Sequence, residues 1–197
     1  MFGTDLAFDD PFLFYGTVQY FSWRLIGVQD ALVPHGLPVP ILQNNQNGNG
    51  KGYVLETKDN FLTPGWQADS GNSTAWWPSN YRLTKRRVWI VEATAKDPKY
   101  GYSRQILWID QELFVAYYNE TYDRVGKLWR MLLNSMSIWQ SEEGDFSFGL
   151  PDFTLSVDEQ NNRATVELPL QKGRKLTVNT GLSEEQFTPA QMRIRGR

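Results

Sequence analysis

Short runs of apolar residues alternate with turn-forming sequences along the second half of the chain. Each run is rich in Val, Ile, Thr, Tyr or Trp and ends at Asp, Asn, Gly or Pro, which is typical of strands joined by tight turns. The clearest turns fall at 110–112, 124–126 and 158–162. The predicted strands of this part are 86–96, 102–110, 113–123, 127–139, 153–157 and 163–168. Their regular spacing predicts an antiparallel meander, and 175–180 is a candidate for one more strand.

The first half of the chain has fewer regular runs. Residues 21–33 predict a strand that Pro34 closes, and 53–58 predict a short one. Between them, 35–52 is rich in Pro, Asn and Gly and predicts a long flexible loop. The C-terminal tail predicts only a short helix. It begins either with a capping box at Ser183 or at Pro189, with Thr188 as the N-cap.

Neither face of the predicted strands is cleanly polar. In 102–109, Tyr102, Ile106 and Trp108 share one face with Arg104, while Leu107 and Ile109 lie on the other. An antiparallel sheet with one face in water alternates more clearly than this. The sheet therefore needs a cover on both faces, and a second sheet, a curled half-barrel, a partner chain or an apolar ligand could each supply it.

Composition and charge exclude several classes of function. The 197 residues include 8 Trp, 9 Tyr and 11 Phe, and the net charge of −2 gives no strong field for nucleic acid. There is no cysteine, which excludes thiol chemistry and disulfides. No apolar run reaches about 18 residues, and the first residues do not read as a signal peptide.

The sequence offers little for catalysis. His35 is the single histidine, so a hydrolase would have to use it beside carboxylates, and no G-x-S-x-G motif accompanies it. Two acidic groups, Asp9-Asp10 and the group Glu142, Glu143 and Asp145, could hold a cation but are more typical of solvated loops. We therefore predict no enzymatic activity, no metal site and no cofactor.

Five motifs follow one another in a characteristic order. They are 23–27 (WRLIG), 91–94 (VEAT), 102–110 (YSRQILWID), 122–130 (YDRVGKLWR) and 187–193 (FTPAQMR). This succession resembles the LolA-like "outer membrane lipoprotein-sorting protein" family, a Gram-negative domain of unknown function. The resemblance spans nearly the whole chain and corresponds to the C-terminal half of the family.

The resemblance implies a mainly β fold in which a curved antiparallel sheet forms an incomplete barrel with few short helices and long loops. The whole chain, 1–197, would be one such domain. Its concave side would hold a lipid or acyl chain, and its location would be the periplasm. The implied function is a non-enzymatic carrier or binding protein for hydrophobic ligands in lipoprotein or lipid trafficking, with a membrane-protein transport partner.

Seven residues are candidates for the ligand site. Aromatic side chains would form its wall, and two arginines would meet an anionic head group at its rim. The candidates are Trp23, Trp89, Trp108, Tyr117, Trp129, Arg87 and Arg104. The alternative is a structural or interaction module, whose apolar sheet face would serve protein assembly or self-association.

Overall fold

The computed structural model describes residues 6, 10, 12–34, 41–44, 52–56, 82–167 and 175–196. Within these ranges, ten strands join in one mainly antiparallel sheet that does not close into a barrel, which confirms the predicted fold class. The strands are β1 (Phe21–Pro34), β2 (Ile41–Asn44), β3 (Tyr53–Glu56), β4 (Leu83–Ala95), β5 (Arg104–Asp110), β6 (Ala116–Tyr122), β7 (Leu128–Ser141), β8 (Ser147–Asp158), β9 (Arg163–Glu167) and β10 (Lys175–Val178).

The predicted meander is confirmed from β4 to β9, since each of these strands pairs antiparallel with the next. Turn chemistry explains the reversals. The Asp110 carboxylate accepts from the backbone N–H groups of Glu112 and Leu113 between β5 and β6. Asp123 accepts from Val125 and Lys127 before β7, and Gly126 has a φ of 82°, a conformation that glycine adopts without strain.

The first strand joins the meander over a long distance in sequence. β1 pairs antiparallel with β4 along its whole length, with a register shift between Leu25 and Gly27. Among the strands that the structure describes, β1 forms one edge of the sheet. β2 lies inside the predicted loop 35–52 and pairs parallel with β7. On its other side β2 pairs with β3, which in turn pairs with β10. The rest of that loop except Gly52, with His35, lies outside the described residues.

The sheet is strongly curved. Strands lie about 4.8 Å apart, so a flat sheet would separate β1 from β6 by roughly 14 Å. Yet the Tyr118 hydroxyl of β6 donates to the carbonyl oxygen of Leu32 in β1 at 2.6 Å. Val33 of β1 also packs with Tyr117 and with Met136 of β7. The end of β1 must therefore bend around toward the middle of the sheet.

The tail forms two short helical turns rather than one. A 3-10 turn spans Glu184–Phe187, and Ser183 makes no side-chain capping bond there. The helix α1 spans Pro189–Arg195, and the Thr188 hydroxyl accepts from the Gln191 backbone N–H. The proline start with a threonine cap is thus the alternative that the structure adopts.

Candidate functional site: a cavity under an N-terminal strap

A segment before β1, here called the N-terminal strap (residues 6, 10 and 12–16), lies across one face of the sheet. Leu6 and Leu13 pack on Leu132 of β7, and all three are buried. The Asn119 side-chain amide of β6 donates to the carbonyl oxygen of Leu13 at 2.7 Å. The strap therefore covers this face by apolar packing and by a buried hydrogen bond.

A cavity of about 310 Å³ lies between the strap and the sheet. Its lining residues are Phe12, Phe14, Trp23, Leu107, Ile109, Phe114, Val115, Ala116, Asn134 and Met136. We call the sheet face that carries Trp23 and Leu107 the cavity face. Nine of the ten lining residues are apolar, and Asn134 is the polar one. Mostly apolar walls with few polar groups are typical of small-molecule sites.

One line of paired residues crosses the cavity face from this cavity as far as β8. We call it the cross-strand row: Trp23, Ala93, Gln105, Thr121, Arg130 and Asp158 are successive partners from β1 to β8. Paired residues in an antiparallel sheet lie on the same face. The row is therefore apolar at its Trp23 end and charged at its Arg130 end.

A buried ionic group occupies the charged end of the row. The Tyr102 hydroxyl donates to the two carboxylate oxygens of Asp10 at 2.8 and 3.0 Å. Arg130 donates to the Tyr102 oxygen at 2.5 Å and lies 3.4 Å from Asp10. Burial, together with the negative charge of Asp10, raises the pKa of Tyr102 above its ordinary value, so the hydroxyl stays protonated. Asp10 thereby fixes the strap to the sheet.

Asp158, the last member of the row, is held by its own turn. Burial acts to raise the pKa of Asp158, but hydrogen bonds from Asn161, from the Gln160 backbone and from the Trp129 indole outweigh it and lower the pKa. The carboxylate is therefore ionised, with its lone pairs largely engaged by these donors. It lies 4.0 Å from Nε of Arg130, which is too far for a hydrogen bond.

The strap contains a strained turn. Phe12 and Leu13 have φ values of 62° and 66°, in the left-handed region that side-chain-bearing residues rarely adopt. Such a conformation costs of order 1 kcal/mol for each residue and persists where surrounding contacts enforce it. Here the enforcing contacts are the packing of the buried Leu13 side chain and the hydrogen bonds of the Asp10 carboxylate, which precedes the turn.

Two of the predicted site residues lie at the cavity. Trp23 lines it and packs edge-on against Phe14 of the strap, with ring centres 5.2 Å apart. Trp89 shares the cavity face with Trp23 and contacts the lining ring of Phe114, at 5.8 Å between centres. Trp23 is thus a lining residue, and Trp89 lies behind the lining residue Phe114.

Two others lie on the face opposite the cavity. Trp108 follows the lining residue Leu107 in the strand and packs on Tyr118. Arg104 stacks over the ring of Tyr122 at 3.9 Å and pairs with Glu92 at 3.6 Å. These residues cover the outer surface of β5.

The remaining three are separated from one another. Tyr117 is fully buried in the cluster with Val33 and Met136. Arg87 pairs with Asp30 at 3.0 Å on an exposed part of the β1–β4 ladder. Trp129 stacks on the Arg130 guanidinium, 4.3 Å from its ring centre. The seven residues therefore do not form one surface, and their contact with a ligand remains a prediction.

The strap side of the site was not found from the sequence. Asp10 was expected in a solvated acidic loop, and this was wrong: it is 1% exposed, because Tyr102 and Arg130 supply its hydrogen bonds and countercharge. The other acidic group does lie in an exposed turn between β7 and β8. Phe12 and Phe14 line the cavity, and their only sequence signal is the aromatic start of the segment 12–21.

The described residues form an open, curved, mainly antiparallel sheet that carries an apolar cavity and a buried arginine. The chain belongs to a family described as a protein of unknown function, DUF1329, whose model matches residues 1–193. This confirms the family resemblance seen in the sequence motifs. No curated protein matches the chain.

Two solved structures are similar. One is a domain named as an outer membrane lipoprotein-sorting protein from Vibrio parahaemolyticus, with a TM-score of 0.51 and 15% identity, over 96% of this chain and 55% of that one. The other is a DUF1329 family protein from Desulfovibrio piger, with a TM-score of 0.36 and 19% identity, over 53% of this chain and 40% of that one. The first likeness supports the fold; the second is too weak to carry an argument. The chain spans about half the length of the structures it matches.

The described residues contain no helix that is long and apolar enough to cross a membrane. In the same part of the chain, no group of three His, Cys, Asp or Glu side chains is arranged to hold a metal ion. What the arrangement offers chemically is an apolar cavity and, farther along the same sheet face, a buried cation.

Proposed function

We propose that the protein is a non-enzymatic periplasmic binding protein or carrier for lipid-like ligands, serving lipid or lipoprotein trafficking to the outer membrane. The observation that carries the proposal is the apolar cavity between strap and sheet. Its volume of about 310 Å³ lies at the lower end of the range typical of ligand sites. An acyl chain placed there would be buried against Phe14, Trp23 and Leu107.

The energetics favour an apolar guest. Each buried methylene stabilises a complex by roughly 0.8 kcal/mol, and the mostly apolar walls demand few hydrogen bonds from the ligand. The similar Vibrio domain is named for lipoprotein sorting, which supports this class of ligand through the shared fold. A membrane-protein partner for delivery and release is part of the same proposal.

The test is a titration with lauryl alcohol, followed by tryptophan fluorescence and native mass spectrometry. We expect saturable quenching and a one-to-one adduct. Because Trp23 lines the cavity, Trp23→Phe should remove most of the fluorescence change while leaving the adduct in place. A chain that shows neither quenching nor adduct would contradict the proposal.

A cavity-filling variant sharpens the test. Ala116→Phe places a ring in the cavity and should abolish the adduct. Thr94→Phe adds the same ring on an exposed position of the opposite face and should bind like the unchanged protein. Equal binding by both variants would show that the alcohol lies elsewhere.

A second candidate, an assembly module, is favoured by the edge strand β1. Several of its apolar side chains are exposed: Trp23, Leu25, Ile26, Val28 and Leu32. A long, apolar, unpaired strand edge is a template for pairing with another chain. Light scattering over a dilution series tests this. Assembly predicts a mass that falls on dilution and is monomeric at all concentrations in Leu25→Lys, whereas Val125→Lys, in an exposed turn, should behave like the unchanged protein.

A further inference from the structure

Arg130 is a buried cation whose donors are incompletely used. It is 9% exposed, and its Nε has no hydrogen-bond partner. Leaving a buried charged donor unpaired costs more than leaving a neutral one unpaired. Asp158 does not satisfy it, since that carboxylate lies 4.0 Å away and is engaged by Asn161 and Trp129.

The carboxylate that does face Arg130 comes from outside the sheet. Asp10 belongs to the strap, whereas Arg130 belongs to β7 and Tyr102 lies just before β5. Phe12 and Leu13 of the strap adopt the strained left-handed conformation described above. Loss of the Asp10 contacts would therefore free the strap to relieve that strain.

Further unsatisfied polar atoms lie on the same face, between the arginine and the cavity. Gln105 belongs to the cross-strand row, and its Nε2 is buried without a partner. Asn119, which pairs with the lining residue Leu107, has a buried and unpartnered Oδ1. The face between Arg130 and Trp23 thus carries spare donors and acceptors, and it spans four strand spacings, roughly 19 Å.

We infer that Arg130 and Tyr102 form a head-group site for the carboxylate of an amphiphile, and that Asp10 occupies this site as a built-in substitute in the ligand-free protein. The amphiphile's chain would run along the cross-strand row into the cavity. A ligand carboxylate would replace Asp10 on Arg130 and Tyr102, and the part of the strap that carries Asp10 would move away from the sheet while Phe14 stays over the cavity. This inference rests on the proposed function, because it assigns the head group of the same ligand.

The experiment compares laurate with lauryl alcohol, which share a chain and differ in charge. In the unchanged protein, laurate must displace Asp10. Asp10→Asn removes the competing charge, so we expect laurate affinity to rise about tenfold relative to the alcohol, a size typical of coupling between two sites. Asp97→Asn makes the same change in an exposed turn and should leave the ratio of the two affinities unaltered.

A double variant keeps the test decisive. Asp10→Asn/Arg130→Gln removes both charges together and should abolish the gain in laurate preference. Asp10→Asn could instead lower the ratio of laurate affinity to alcohol affinity, or leave it unchanged, while the alcohol still binds. The head-group site would then be wrong, and the proposal of an apolar ligand in the cavity would be unaffected. If neither ligand binds any variant, the proposed function fails as well. Acetate should not compete with laurate for binding. Competition by acetate would assign the site to small free carboxylates.

Discussion

The two ends of the cross-strand row lie on one face of one sheet but are built on different principles. At the Trp23 end, aromatic rings and Leu107 surround a cavity, and shape alone defines the site. At the Arg130 end, the strap carboxylate, a phenol and a guanidinium are joined by buried hydrogen bonds. The difference shows that apolar groups leave room for a guest, whereas a buried charge requires a resident partner.

The largest loss of stability is expected when the arginine at the charged end of the row is removed. Arg130→Met leaves the Asp10 carboxylate buried without the countercharge of Arg130, and losing one member of a buried ion pair costs roughly 3–5 kcal/mol. Urea denaturation measures this loss in the free energy of unfolding.

The double variant Asp10→Asn/Arg130→Met provides the internal control. Since it also removes the Asp10 charge that Arg130→Met leaves without its countercharge, it should be more stable than Arg130→Met alone. Additive losses in the two single variants would mean that Asp10 and Arg130 do not interact energetically.

The sequence predicted the local pairings of the sheet, but not this charged end. The meander β4–β9 follows from alternating apolar runs and from Asp and Gly at the turns, which are signals within a few residues of each other. Asp10 meets Arg130 across 120 positions, and no periodicity links them. β1 and β4 likewise pair across the segment 35–82, so the identity of the edge strand depends on long-range packing.

The sequence predicted an aromatic wall for a ligand site, and Trp23 does line the cavity. That it contacts a ligand stays a prediction. Period-two alternation correctly separated Leu107 from Trp108, but it could not decide which face would be covered. The cover is the strap, whose short irregular segment carries no repeating pattern to detect.

A smaller effect is expected at the apolar end. Leu107 is 1% exposed, and Leu107→Ala should destabilise the fold by about 3 kcal/mol through lost burial and added void. Because Leu107 also lines the cavity, the variant should accept a bulkier alcohol than the unchanged protein does. Val125→Ala, at a position 88% exposed, should change the unfolding free energy by less than about 0.5 kcal/mol.

The smallest loss of stability is expected at Asp158, the member of the cross-strand row that pairs with Arg130. Its folded-state pKa lies below the ordinary value, so its ionised form stabilises the fold at neutral pH. Asp158→Asn should therefore cost about 2 kcal/mol there, as hydrogen bonds to a charged group are lost.

The stabilisation by the Asp158 carboxylate is present above the unfolded pKa near 3.9 and is lost as pH falls through the lower folded pKa. The stability gap between the unchanged protein and Asp158→Asn, measured by urea denaturation from about pH 5 to about pH 2, should consequently narrow. A gap that stays constant over this range would mean that the carboxylate acts through its shape and not through its charge.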